Sequence, residues 1–406
     1  MISTERRLPS SAALRWVAVT VFALASAVNF LDRLTLGAFA PRIIAEFHLT
    51  NTQYGFLSGS AFGLPYAIAG PFVGWLLDRI GLETGIICAV ALWSLSAAIC
   101  GLTRTYGQLL GARAFLGVWE SAGIPAAGKL NSIYLEPKDR AIGAAMTQIG
   151  IGIAGVVAPL LVGEFAGWRS PFFLCAALGL GWIPLWLVVR RSIQPWSEVA
   201  PQTERGGWKI VRDRRLAFLA AANIVWMIGY TFWQNWITVY FVDVYKLTNQ
   251  QAAAYAWVPP LASVLGGFAG GWISRRAINR GVAPVSARIS VLFFGAVGCL
   301  TTLLAPFCPT PLWALAPICI SYFALLAGSV NIYTIPLDIW GGERAGTALS
   351  VLGFAYGLMQ VVVSLLIGEL VDHFGFTPVC WLVALPPFAG WLLLRRNMER
   401  VRALIK

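Results

Sequence analysis

Apolar residues in this chain fall in continuous blocks of roughly 20, the length an α-helix needs to cross the hydrocarbon core of a bilayer. Twelve such blocks lie at about 16–40, 53–77, 84–102, 106–132, 141–163, 170–190, 216–243, 252–273, 288–307, 312–335, 345–369 and 375–394. Their continuity excludes a β-barrel, whose strands alternate apolar and polar residues. With 58% hydrophobic and 12% charged residues, the chain is far too apolar for a soluble domain. The first block is too long for a secretory signal and lacks a small-residue cleavage site. The expected fold class is an all-α polytopic membrane protein with twelve transmembrane helices.

A net charge of +12 invites thoughts of nucleic acid, but the distribution of the charges argues against that partner. With the N-terminus inside, the cytoplasmic segments hold 23 of the 30 Lys and Arg residues, including seven between Arg190 and Arg215. The outer loops hold four, Arg42, Arg104, Arg169 and Lys246. This asymmetry obeys the positive-inside rule with both termini cytoplasmic. The remaining three, Arg33, Arg113 and Lys129, lie within expected helices, where topology gives them no reason to be.

The chain also repeats itself. Asp139-Arg140-Ala141 recurs as Glu343-Arg344-Ala345, 204 residues later, and LLVGEF (160–165) as LLIGEL (365–370), 205 later. GWLLDR (74–79) is echoed by GWISRR (271–276). Two six-helix halves follow, 1–190 and 215–406, with the charged, Pro- and Gly-bearing stretch 191–214 as a cytoplasmic linker. Parallel six-helix repeats with a site between them near the midplane are a transporter arrangement. The seven cysteines show no metal-ligand spacing, the two histidines form no cluster, and no G-x-x-x-x-G-K-[ST] occurs. Neither an enzyme, a metal site nor a cofactor is expected.

A charge at bilayer depth costs about 2.5–3.5 kcal/mol on insertion scales, so each one needs a reason. Helix 1 runs outward and helix 4 inward, which puts Arg33 and Arg113 at matching depth, about 10 Å below the outer end at 1.5 Å per residue. Glu120 lies two turns beyond Arg113 on nearly the same face, and Asp32 adjoins Arg33. Two guanidiniums and two carboxylates therefore converge in one half. They either pin helix 1 to helix 4, with Arg113 as a structural partner of Glu120, or they serve transport. Arginine keeps its proton and offers a fork that fits carboxylates. Exchange of an arginine partner for substrate would release an acid to take up a proton.

The motifs bear a family resemblance. GWLLDRIG (74–81) resembles the signature of the major facilitator superfamily. NFLDR (29–33), RAFLGVWESAGIPAAGK (113–129), EPKDRA (136–141) and GWRSPF (168–173) resemble the anion:cation symporters, which include bacterial hexuronate and galactonate carriers and the vesicular and lysosomal organic-anion transporters. The Spinster-like lipid transporters share the N-x-x-D-R and R-x-x-x-G-x-x-E elements and supply the alternative reading, a lysolipid or amphiphile transporter. The resemblance implies a major facilitator fold, alternating access and a bacterial inner membrane. It also implies protonation at Asp32 and Glu120 and substrate contact by Arg33.

The expected function is proton-coupled symport of an organic anion, such as a sugar acid or a small monocarboxylate, by a monomer with the proton as coupling ion. Arg33 and Arg113 are the expected anion-binding cations, with Asp32 and Glu120 as coupling acids. The second half offers polar and aromatic residues instead of charges: Asn223, Trp226, Tyr230, Trp233, Gln234, Asn235, Tyr255, Tyr322, Asn331, Tyr356 and Gln360. Tyr230, Trp233 and Gln234 share one helix face. From these come the substrate candidates Tyr230, Trp233, Gln234, Asn331, Tyr356 and Gln360, joined by Tyr54 and Gln148 from the first half. SVLGFAYGLMQ (350–360) lacks the asparagines that sugar-acid carriers of the resembling family place on helix 11, which leaves smaller or aromatic carboxylates open. Asp78, Arg79, Arg140, Glu343 and Arg344 sit at cytoplasmic loops and read as gating latches, while Lys129 is expected to snorkel. A reporter that is active only in the cytoplasm should work when fused after Lys406; activity of a periplasm-only reporter there would overturn this topology.

Overall fold

The computed structural model describes residues 12–136, 140–193 and 207–405. The side chains of Asp78, Arg140, Gln148, Glu343 and Arg344 lie outside that description, as does most of the expected linker, 194–206. The N-terminal set of helices is α1 (Ala12–Ala38), α2 (Ala40–Phe47), α3 (Asn51–Gly55), a π-helical turn (Phe56–Ser60), α4 (Ala61–Ile80), α5 (Leu82–Leu102), α6 (Tyr106–Glu120), α7 (Gly123–Tyr134), α8 (Arg140–Glu164) and α9 (Arg169–Ser192). A short 3-10 helix (Gly207–Arg212) leads into the C-terminal set. That set is α10 (Arg214–Tyr245), α11 (Asn249–Ala256), α12 (Val258–Asn279), α13 (Pro284–Cys299) with a 3-10 extension (Leu300–Phe307), α14 (Pro311–Phe374), α15 (Phe376–Ala384) and α16 (Pro386–Ile405). No strand occurs among the described residues.

Nine segments among the described residues are long and apolar enough to span a membrane. The other three expected crossings fall on α3–α4, α6–α7 and α8, which is consistent with twelve. Two interruptions were not expected. Helix 2 takes a π turn at Phe56–Ser60, and helix 4 breaks after Glu120, where Ser121 Oγ donates to Val118 O (2.6 Å) and Gly123 begins a new helix with Pro125 in its first turn. The expected helices 10 and 11 are assigned as helix without a gap, α14, but form two arms, Pro311–Trp340 and Thr347–Phe374, each long enough to span. Contacts along α14 place its middle and its C-terminus at opposite ends of the bundle. Asp338 pairs with Arg288, and Trp340 Nε1 donates to Asp213 (3.2 Å), at the start of α10. Asp372 instead reaches Asn51, at the opposite end of the bundle.

Buried apolar residues segregate with the two sets of helices. One cluster gathers Leu219 through Leu394, joined by Ala40 and Tyr54. Two more draw on residues 18–193, with Ala253 the one guest from the C-terminal set. The sets meet along the end that charge assigns to the outside. Tyr54 OH donates to Asn235 O (2.7 Å) and Ser60 Oγ to Val361 O (2.8 Å). A Cβ on Gly55 would lie 2.2 Å from Ser364 O, and one on Gly59 2.3 Å from Ser364 Cβ. That end of the bundle is therefore closed. Nearby, Arg169 donates to both oxygens of Glu46 (2.6 and 2.9 Å) and Trp168 Nε1 to one of them (2.6 Å), tying α2 to α9. The Arg169 hydrogen bond holds the Glu46 carboxyl below its ordinary range.

A repeat invisible in the motif comparison emerges at the starts of helices 2 and 8. His48 and Lys246, 198 residues apart, are the two described non-glycine residues with left-handed φ, at 51° and 56°. Two positions on, Thr50 and Thr248 each open a helix with a capping box, closed by Gln53 and Gln251. Within the C-terminal set, α12 and α14 touch through glycine, as small residues allow in membranes. A Cβ on Gly270 would lie 2.3 Å from Ala327 O, a backbone atom that has little room to retreat. Gly270→Val should lower the stability of the purified protein by about 1–3 kcal/mol, read as an earlier thermal transition in detergent. An unchanged transition would mean that this contact is loose.

Candidate functional site

The charged residues of helices 1 and 4 meet as expected, but in a different pairing. Arg33 on α1 donates through Nη2 (2.9 Å) and Nε (3.2 Å) to Oε2 of Glu120, at the end of α6. Glu120 is thus the partner of Arg33 and not of Arg113. The Glu120 side chain is sealed from solvent, whereas that of Arg33 keeps 12% exposure, so the arginine is the approachable member. The break that ends α6 at Glu120 is local chemistry: Ser121, Gly123 and Pro125 follow in close succession.

Asp32 and Arg113 are buried, at 0% and 1% exposure, and neither forms an ion pair among the described residues. Both Asp32 oxygens, and Nε and Nη1 of Arg113, lack hydrogen-bond partners there. The two still feel each other and Glu120 electrostatically. Asp32 lies against Cys175, whose Sγ is 4.0 Å from Thr35 Oγ1. Aromatic rings replace water around the cations. Arg33 Cζ lies 4.5 Å from the centre of the Phe30 ring, 4.6 Å from Phe62 and 5.1 Å from Tyr66. Arg113 Cζ lies 5.0 Å from the same Phe62 ring. Stacking over aromatic faces offsets part of the desolvation of a guanidinium.

Across from Arg33 stand phenols of the C-terminal set. Tyr356 is within electrostatic reach of Arg33 and Tyr66, and Tyr230 of Tyr356 and Arg33. The Tyr230 and Tyr322 rings pack at 5.3 Å. Tyr333 neighbours Tyr356 and Tyr66, and its hydroxyl accepts from Asn223 Nδ2 (3.4 Å). Tyr66, Tyr230, Tyr333 and Tyr356 are each half-buried, deep in the bundle. Together with Arg33 they make an interior surface with one cation and several hydroxyl groups.

The structure places other candidates elsewhere. Asn331 Nδ2 donates to Gly270 O (3.1 Å) and Ala327 O (2.8 Å), so it ties α14 to α12. Tyr54 bonds Asn235 O at the outer contact. Trp233 is buried against Phe232 (4.6 Å) and Tyr240 (5.6 Å). Gln234 has its side-chain oxygen buried without a partner among the described residues, and Gln360 is buried beside the helix 2 contact, where its carbonyl lies near Gly59. Lys129 Nζ donates to Leu77 O (3.1 Å), near the C-terminus of α4, where a cation complements the helix dipole. Arg79 is exposed and lies 5.4 Å over Trp75.

Sequence reading missed Phe62, Tyr66 and Tyr333. Phe62 and Tyr66 are four residues apart, a spacing that puts both on the face turned to Arg33; only the charges had drawn notice. It also missed Arg288, which donates through Nη2 to Asp338 Oδ1 (3.2 Å) and gives the C-terminal set an ion pair of its own.

A helical bundle closed at one end, with buried charges beside an interior aromatic surface, is the architecture of a membrane transporter. The chain belongs to the Major Facilitator Superfamily, whose family profile matches residues 22–364. It is similar to the hexuronate transporter of Escherichia coli (strain K12), 26% identical over 404 residues that cover 94% of this chain and 93% of that one. It is also similar to the protein named "Probable sulfoacetate transporter SauU" of Cupriavidus necator, 27% identical over 382 residues, 89% and 88% of the two chains. Among solved structures, a bacterial homolog of the human lysosomal transporter Spinster, inward-facing and unoccupied, superposes with TM-score 0.76 at 21% identity, covering 95% of each chain. That likeness concerns the fold. The protein is thus an integral membrane transporter and not an enzyme.

Removing one member of a buried ion pair leaves the other charge uncompensated, at about 3–5 kcal/mol. Arg33→Met should therefore lower the thermal transition markedly, and Arg33→Met/Glu120→Gln should recover most of the loss. A double variant no better than the single would show that Glu120 does not rely on Arg33.

Proposed function

We propose that the protein is a proton-coupled symporter of a small organic anion, working by alternating access between halves 1–190 and 215–406. It would act as a monomer in a bacterial inner membrane, with both termini cytoplasmic. The observation that carries this reading is the Arg33–Glu120 pair, in which the cation is approachable and the acid is sealed. An incoming carboxylate or sulfonate competes for the Arg33 fork. Once Arg33 turns to the substrate, Glu120 is left in a dry site as a bare charge, and taking up a proton removes that cost. Asp32, buried with only the weakly donating thiol of Cys175 against it, fits a second proton-carrying acid. Arg113 supplies a fixed positive field beside both acids. The names of the relatives, a hexuronate and a sulfoacetate transporter, describe anions that an arginine can hold.

Proton entry is sufficient as a driving force. A monoanion carried with two protons moves one net positive charge; moving down 100 mV, that charge contributes about 2.3 kcal/mol, roughly 50-fold accumulation. The phenols Tyr66, Tyr230, Tyr333 and Tyr356 would hold the body of the anion through hydroxyl contacts and ring faces.

Glu120→Gln imitates the protonated acid permanently. In proteoliposomes it should exchange labelled substrate across the membrane yet fail to concentrate it when a proton gradient is applied. Asp32→Asn should behave the same way with weaker binding. Hexuronates and short sulfonates are the compounds to screen first. If both variants accumulate substrate as well as the parent does, the symport reading falls, and facilitated diffusion or lipid movement takes its place.

A further inference from the structure

The N-terminus of helix 2 is completed by the other half of the molecule. A helix begins with N–H groups that have no partner inside it. At α3, Thr50 N bonds Gln53 Oε1 (3.0 Å) and Gln53 N bonds Thr50 Oγ1 (3.1 Å), which is the capping box. The two N–H groups between them belong to Asn51 and Thr52. Both donate to Asp372, at the end of α14: Asn51 N to Oδ1 (2.9 Å) and Thr52 N to Oδ2 (2.7 Å). Asn51 Nδ2 (2.9 Å) and Thr52 Oγ1 (2.7 Å) donate to the same carboxylate. One carboxylate thus takes four hydrogen bonds across the contact between the two sets of helices and sits on the positive end of a helix dipole.

Behind this clasp the helices are pressed together. Gly368 is close enough that a Cβ there would lie 2.4 Å from Asn51 O, and Gly55 and Gly59 abut Ser364 in the same way. The repeat of the fold makes the clasp one-sided. α11 opens with the same capping box as α3, yet the LLVGEF/LLIGEL repeat aligns Asp372 with Gly167, which has no carboxylate. Correspondingly, both amide atoms of Asn249, the counterpart of Asn51, have no partner among the described residues.

We propose that Asp372 is the residue that holds the outer side closed, by supplying to helix 2 the half of its N-terminal cap that its own half lacks. When the outer side opens, these four bonds separate and are replaced by water, so Asp372 sets the ratio of outer-closed to outer-open molecules. The role does not depend on which substrate is carried or on proton coupling. Because the carboxylate is exposed, each bond exchanges with water and the expected shift is moderate, roughly tenfold in that ratio.

The test measures distances in the full-length protein in lipid nanodiscs without substrate. Spin labels go on Arg104→Cys and Gln250→Cys, two exposed outer positions, in a background with Cys88, Cys308 and Cys319 replaced by serine. The parent should give mainly the short distance, and Asp372→Asn should raise the long-distance population about tenfold. Asn51→Pro attacks the same bonds from the other half: proline is favoured at the first position of a helix, Thr50 is already extended, and only the donors are lost. It should mimic Asp372→Asn, and the double variant should shift no further than either single. Distance distributions like the parent's in both single variants, or fully additive shifts in the double, would overturn the proposal.

Discussion

Everything in this bundle is arranged around four ionisable groups largely cut off from water. Asp32, Arg33, Arg113 and Glu120 sit where the alternative to protein partners is hydrocarbon. The chain answers that cost in three ways. Arg33 and Glu120 pair directly. Arg33 and Arg113 lean on aromatic rings, sharing that of Phe62. Asp32 is left with a thiol beside it and an arginine in electrostatic reach. The unevenness of these solutions is informative, because a purely structural cluster would satisfy every member. Three of the four, Asp32, Arg113 and Glu120, have buried polar atoms without a partner among the described residues, which fits the exchange of partners that the proposed cycle requires.

The two sets of helices divide the work unequally. The N-terminal set holds the charges of this site, while the C-terminal set brings phenols and uses its own ion pair, Arg288 with Asp338, to join α13 to α14. Two of its buried asparagines bond backbone: Asn331 ties α14 to α12, and Asn223 donates to Leu352 O (3.2 Å). In the proposed reading, what remains for a ligand is a set of hydroxyl groups on rigid rings, which would orient a molecule whose charge Arg33 holds.

Much of this was legible before any coordinates. Blocks of about 20 apolar residues have one physical solution in a bilayer, and a charge inside such a block advertises its function. Arg33, Arg113, Asp32 and Glu120 therefore stood out, while the pairing did not, since Glu120 is within reach of either arginine until the break at Ser121 and Gly123 fixes its direction. Neutral side chains were the weak point. Asn331 and Tyr230 look alike in a sequence as polar residues in an apolar helix, yet one bonds carbonyl groups of its neighbours and the other packs on Tyr322 within electrostatic reach of Arg33. The direction of a side chain depends on packing, and packing on residues far away in sequence. Asp372 was invisible for a similar reason: at the end of a helix it resembles an ordinary surface acid, and its partners lie 320 and 321 residues away.

The length of one arm of α14 has a mechanical consequence. Its second arm, Thr347–Phe374, bears Tyr356 in the interior and Asp372 at the outer contact. Sixteen residues separate them, a rigid rod about 24 Å long at 1.5 Å per residue. Pivoted near Tyr356, a tilt of about 10° moves the far end by about 4 Å, more than a hydrogen bond of about 3 Å tolerates. In the proposed cycle, a small adjustment where an anion meets the phenol would be magnified into the making or breaking of the Asp372 contact. The chain carries a lever between its site and its door, with no hinge along the arm to absorb the stroke.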